Sequence, residues 1–252
     1  MYYYIMEAAD KKGLLWQEKI KNTLGDLGIA GETVVPTPAR TIEELTNLGI
    51  IKGYSTIVAV GSEKLVNTVA TTIIDHKEAN DVVLGVVPED NTSLIAKKIG
   101  VNEDKNACQT LKFRKLSTFD VALIEPNHYF ITEAEITSTK TVQAYLSTPH
   151  IKALVSFNKI TIRPGLEIEI HDNSGKRKGG NFFGWLTGSS KKVEKDIYYS
   201  YITAKKMKIE AINTILAAKV ENEVIAKTPI VCQTKPKALK IIIARDTIET
   251  KE

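Results

Sequence analysis

Thr56-Ile57-Val58-Ala59-Val60-Gly61, the segment from Ser62 to about Ile74, and then Val82-Val83-Leu84-Gly85-Val86-Val87-Pro88 form the stretch whose reading decides the fold. Two uninterrupted apolar runs, each short and each closed by Gly or Pro, enclose a segment with helical spacing. A strand without polar alternation is covered on both faces, and a parallel sheet between helices provides that cover. Upstream the same unit recurs. Tyr2 to Met6 reads as a strand, and Trp16, Ile20, Leu24 and Leu27 follow at helical spacing until Gly28. Val34-Val35 reads as a short strand, and Thr41 with Glu44 forms a capping-box signature for a helix to about Gly49. Ser93 is placed to cap a further helix through Ile99. Ligands of such sheets sit beyond the carboxyl ends of the strands, so the turns after Val60 and Val87 are the two positions that matter.

Beyond about Leu116 the texture changes. Phe119 to Ile124, a turn at Glu125-Pro126-Asn127, and Tyr129 to Ile136 read as a hairpin. Ile160 to Ile162, Leu166 to Ile170, Asp196 to Thr203, Met207 to Ile212, Ile215 to Val220, Ile230 to Thr234 and Leu239 to Ile243 read as strands, several with two-residue alternation. The expected class is α/β, a doubly wound parallel-sheet domain over 1–116 followed by a mostly antiparallel β-sandwich domain over 117–246, with a tail at 247–252. A chain of 252 residues suits two small domains, and 43% hydrophobic with 25% charged residues is enough to build a core.

Composition also removes several functions. Cys108 and Cys232 stand far apart, outside any C-x-x-C pattern, and the four histidines are single, so no metal cluster is implied. A net charge of +4 is too mild for a nucleic-acid binder. The first 13 residues lack a basic segment followed by a long apolar one, and the expected location is cytoplasmic.

Ile57 to Val69 resembles the catalytic family of diacylglycerol and lipid kinases, in which a strand ends in Gly-Gly-Asp-Gly-Thr and continues Leu-Asn-Glu-Val. Gly61 and Asn67 match that pattern, while Ser62, Glu63, Lys64 and Leu65 stand at its centre. Leu84 to Pro88, then Ala96 and Gly100-Val101, frame a second family segment whose centre is occupied here by Glu89, Asp90, Asn91, Thr92, Ser93 and Leu94. Phe119-Asp120-Val121 leading to Tyr129-Phe130 is similar to a third. Glu221-Asn222-Glu223, with Thr228-Pro229-Ile230 and Pro236 to Leu239, is similar to the family's C-terminal hairpin and strand. The four matches keep the family's order over about residues 1–135 and 205–245. NAD kinases share the Gly-rich turn, but the Asp120 and Glu223 segments favour the lipid-kinase side.

The resemblance implies ATP-dependent phosphoryl transfer to a hydroxyl of a lipid-like alcohol such as diacylglycerol, with ATP and Mg2+ as cofactors. It implies Gly61, Ser62, Glu63, Lys64, Asn67, Asn91 and Thr92 as nucleotide-binding residues, Glu63 and Asp120 in the metal network, and Glu223 as the general base. Leu94 stands where the family carries an acid. The altered centres of both turns support an alternative, a catalytically inactive relative that binds a nucleotide, a lipid or a protein. Without the resemblance, Gly61 is an ordinary end of a buried strand, Ser93 an ordinary cap, and Glu221 and Glu223 a solvated hairpin tip.

One further constellation is independent of the family. Lys176, Arg177, Lys178, Lys191, Lys192 and Lys195 flank Asn181-Phe182-Phe183-Gly184-Trp185-Leu186. Basic residues around Phe183 and Trp185 suit an anionic membrane surface, with peripheral attachment as the consequence. The alternative packs the rings into the β domain. A homodimer is compatible with the sequence, and no nucleic-acid partner is expected.

Overall fold

In a computed structural model of the chain, residues 1–79, 81–101, 104–175 and 196–245 are described. They divide into two compact units. The first comprises Met1–Val121, Tyr129–Thr132 and the segment from Lys235 onward; the second comprises Ala122–His128 and Glu133–Thr234. The single cut expected at 116/117 is therefore replaced by a discontinuous division. The C-terminal strand returns to the first unit, a long-range connection that a residue-by-residue change in texture does not reveal.

The first unit opens with β1 (Tyr2–Met6), α1 (Lys11–Asp26), β2 (Glu32–Val34), α2 (Ile42–Ile51), β3 (Thr56–Gly61), α3 (Glu63–Asp75) and β4 (Val83–Pro88). Then come α4 (Leu94–Ile99) and α5 (Asp104–Phe113). The strands run parallel in the order β2-β1-β3-β4, with Met6 opposite Val60 and Gly61 opposite Pro88. Every residue of β3 and β4 is buried, as their unbroken apolar runs require. Thr41 and Glu44 form the reciprocal capping box, and Ser93 caps α4 by accepting from the Ala96 N–H.

Helix α5 was not anticipated by the apolar pattern, because Leu111 is the one large apolar side chain among its buried residues Ala107, Cys108, Thr110 and Leu111. It rests on β4 at Gly85, where an added Cβ would lie 2.7 Å from the Leu111 side chain. A glycine in the middle of a strand is here a docking point for a helix.

The second unit is antiparallel. It holds β7 (Ala134–Ser147), β8 (Lys152–Arg163), β9 (Glu167–Gly175), β10 (Asp196–Thr203), β11 (Lys206–Ala211), β12 (Ala217–Val220) and β13 (Glu223–Lys227). The ladder runs β10-β9-β8-β7 and then forks: β12 pairs with Ala134 to Ile136 of β7, and β11 with Ala144 to Ser147. Ile160, Ile162, Ile168 and Ile170 are buried along one face.

β5 (Lys115–Ile124) and β14 (Ile230–Ile243) each pass from one unit into the other, and the short β6 (His128–Phe130) pairs with β5. The two strands expected at 230–234 and 239–243 are thus one. The membrane-contact residues Lys176, Arg177, Lys178, Phe183 and Trp185, and the tail at 247–252, lie outside the described residues.

Candidate functional site

The turn after β3 is the natural starting point, because it is the strand–turn–helix at which this class of sheet meets ligands. Gly61 ends β3 with φ +152°, and an added Cβ would lie 2.5 Å from Glu7 Oε2 and 2.8 Å from Glu7 Cβ. Backbone in that region favours glycine, and the crowding excludes a side chain independently. Ser62 is the N-cap of α3, its hydroxyl accepting from the Leu65 N–H at 3.4 Å.

The donors of Ser62 already have an acceptor. Its N–H donates to Glu7 Oε2 at 2.6 Å, and its hydroxyl donates to Glu7 Oε1 at 2.9 Å. Glu7 is itself fixed at both ends of its peptide. Its N–H donates to the Val60 carbonyl at 3.0 Å, and its carbonyl accepts from Nε2 of the buried Gln17 at 2.6 Å. The carboxylate therefore lies at the start of α3, where the aligned peptide dipoles favour negative charge.

A cavity of about 330 Å³ opens beside this turn, lined by Glu7, Asp10, Trp16, Gln17, Gly61 and Glu89, with alanines and Gly13 completing the wall. Among the described residues its lining carries three carboxylates and no Lys or Arg. That charge pattern opposes a triphosphate, which needs cations and unoccupied N–H donors around it.

The other residues of the expected site have structural partners. Glu63 Oε1 accepts from the Ile95 N–H at 2.8 Å and so adds a second cap to α4 beside Ser93. Asn67 Oδ1 accepts from the Ile131 N–H at 3.0 Å, fastening the chain just after β6 onto α3. Asp120 Oδ1 accepts from the Lys237 N–H at 2.7 Å, where Lys237 has φ +51°. Thr92 donates through both its hydroxyl and its N–H to Asp90 Oδ1, at 2.7 and 2.8 Å. The hydroxyl bond first, and the N–H bond second, hold the Asp90 carboxyl below its ordinary range. Asn91 Oδ1 is enclosed and accepts no hydrogen bond among the described residues. Lys64 is exposed on the first turn of α3, and Leu94 is 43% exposed.

Glu223 stands on the second unit, at the start of β13, and is exposed. Glu221 and Asn222 form the tip of the β12–β13 hairpin with φ of +48° and +65°, so Glu223 pairs in register with Val220. No group of three or more His, Cys, Asp or Glu side chains is arranged to hold a metal ion among the described residues. Among the described residues, then, Glu63 caps α4 and Asp120 holds the Lys237 N–H.

Glu7, Asp10 and Trp16 were missed by sequence reasoning. The signal for Glu7 was available in principle. A residue that directly follows a buried strand, parallel and adjacent to β3, must emerge beside the residue following Val60.

The fold is that of an α/β protein with a strand–turn–helix at Gly61–Ser62 and an antiparallel second unit. No protein-family model matches the sequence, nor does any curated protein. Among solved structures, a candidate diacylglycerol kinase from Bacillus anthracis str. Sterne superposes with a TM-score of 0.76 at 12% identity over 98% of each chain. A diacylglycerol kinase structure from the same organism gives 0.72 at 14% identity, and another candidate gives 0.73 at 12%, each again over 98% of both chains. The chain has the two-domain fold of these proteins.

Proposed function

We propose that this chain is a ligand-binding relative on the diacylglycerol-kinase fold that does not transfer phosphoryl groups through the Gly61 turn. The observation that carries this reading is the bond pair from Ser62 to the Glu7 carboxylate, which removes the donors a nucleotide phosphate would use. Glu63 capping α4 and Asp120 holding Lys237 support it, since each has a structural partner in place of a metal. The ligand class suggested by the fold is a lipid-like alcohol, and contact with an anionic membrane through Phe183 and Trp185 belongs to the same proposal.

A second reading, an active lipid kinase using ATP and Mg2+, is favoured by one observation: Glu223 is exposed at a hairpin, in the sequence context of the family's general base. The two readings part in a transfer assay with labelled ATP, Mg2+ and diacylglycerol in mixed micelles. The binding-module reading predicts no labelled phospholipid above the no-protein control. Product formation that is lost in Glu223→Gln would overturn it and install the kinase.

A further inference from the structure

We infer that the surface at the amino ends of the first unit's parallel strands is a docking site for an acidic polypeptide segment that carries an apolar side chain. The surface is built where α5 meets β5, from Lys112, Phe113, Arg114, Lys115 and Leu116, with Arg245 beside them. Phe113 and Leu116 are 50% and 43% exposed, so two large apolar side chains stand together among four cations. Arg245 lays its guanidinium 3.8 Å from the Phe113 ring centroid, and Lys115 Nζ donates to the Arg245 carbonyl at 3.3 Å. The chain holds no Asp or Glu from residue 105 to residue 119. Among the described residues, Lys112, Arg114 and Arg245 have no carboxylate partner, and Arg114 donates instead to the Thr56 hydroxyl at 3.3 Å. Positive charge around an apolar centre is complementary to carboxylates flanking an apolar residue.

The backbone supports a role for Arg114. It ends α5 with φ +53°, its N–H donating to the Thr110 carbonyl at 3.0 Å. Glycine is the ordinary residue at such a left-handed helix end, and a residue with a Cβ is disfavoured there. Arg114 thus stands where folding alone favours glycine. Its guanidinium and that of Arg245 present the planar fork that pairs with carboxylates, and arginine and aromatic side chains are the types that anchor protein interfaces.

Position favours a polypeptide over a bilayer. Arg114 bonds Thr56, the first residue of β3, and the Leu111 carbonyl accepts from the Tyr2 hydroxyl at the start of β1. The Gly61 turn lies at the other end of β3, about 17 Å away along an extended strand. A bilayer at the amino ends would turn that ligand position away from the lipid phase, a step that rests on the lipid-like ligand proposed above. Phe113 also has one ring face covered by Arg245, which leaves little of the ring to enter a membrane.

The test uses the full chain and a fluorescein-labelled hexapeptide with two glutamates on each side of Leu-Phe, followed by fluorescence anisotropy. The parent protein is expected to bind it saturably in the micromolar range, with affinity that falls as salt rises from about 0.05 to about 0.5 M. Arg114→Gln and Phe113→Ser are each expected to bind at least about tenfold more weakly. Lys227→Gln, which removes the same charge from an exposed position on β13, is expected to bind as the parent does. Arg114→Gly is expected to lose the same affinity while keeping or raising the thermal midpoint, which separates recognition from folding. No saturable binding by the parent, or equal binding in Arg114→Gln and Phe113→Ser, would overturn the inference. So would sedimentation of the parent, but not of Arg114→Gln, with vesicles of phosphatidylglycerol and phosphatidylcholine, since that assigns the surface to a bilayer. A parent protein that binds the peptide through Arg114 while transferring phosphoryl groups from ATP to diacylglycerol would sink the proposed function and leave this inference standing.

Discussion

At the residue scale, the behaviour of Glu7 and that of Glu169 show how position decides what a carboxylate does. Glu7 is half-buried and bonded to uncharged donors at a helix start, whereas Glu169, on β9, sits 8% exposed among charged partners. Arg163 Nη1 lies 2.8 Å from Glu169 Oε2, His171 Nε2 lies 3.0 Å from Oε1, and the Tyr201 hydroxyl donates to Oε1 at 3.3 Å. Burial alone would raise the Glu169 carboxyl. The Arg163 hydrogen bond and charge, helped by His171 and Tyr201, overcome burial and leave it below its ordinary range. A group whose folded value is depressed contributes stability that is full above its unfolded value and is lost as pH falls through the folded one. The parent protein is therefore expected to lose more midpoint than Glu169→Gln as pH drops below about 4, in thermal unfolding followed from pH 7 to pH 3. Parallel profiles would show that the Arg163 pair adds nothing to folding.

At the scale of elements, Glu63 gives the clearest choice between two roles for one side chain. Read from the sequence, it retains a carboxylate beside a phosphate turn. In the fold it bridges α3 and α4 by capping the Ile95 N–H. Glu63→Ala is expected to cost about 1 kcal/mol, as loss of a helix cap does, in denaturant unfolding without ligand and with an unchanged slope. No loss of stability would return Glu63 to the metal role.

The legibility of other elements divides along the same line. β3, β4 and the Thr41 capping box were readable because their signals are local: unbroken apolar runs and a side chain three residues from its partner. β14 was not readable as one strand, because Pro236 cannot donate to a ladder and suggests a break. The chain passes that point with the Lys237 N–H satisfied by Asp120 of β5, a partner 117 residues away in sequence. The helix α5 was hidden because Leu111 is the one large apolar side chain among its buried residues Ala107, Cys108, Thr110 and Leu111.

At the scale of the whole molecule, the order of short family-like segments pointed to the fold that the solved structures share along 98% of their length, at only 12–14% identity. A fold can be shared at such low identity because apolar runs and turn positions specify it, and these tolerate exchange. A site is specified differently, by particular side chains grafted on the fold. Gly61 was legible as the turn residue, but its partner Glu7 arrives from another strand, and spacing within one segment could not show that a carboxylate fills the turn.

The proposed closure of the Gly61–Ser62 turn to nucleotide phosphates places the Glu7 carboxylate on the Ser62 donors. Titration calorimetry of the parent protein with ATP in the presence of Mg2+ tests it most directly. A turn closed by Glu7 gives no saturable heat at millimolar ATP, whereas micromolar binding that depends on Mg2+ and weakens in Glu63→Ala would show the turn open to nucleotide.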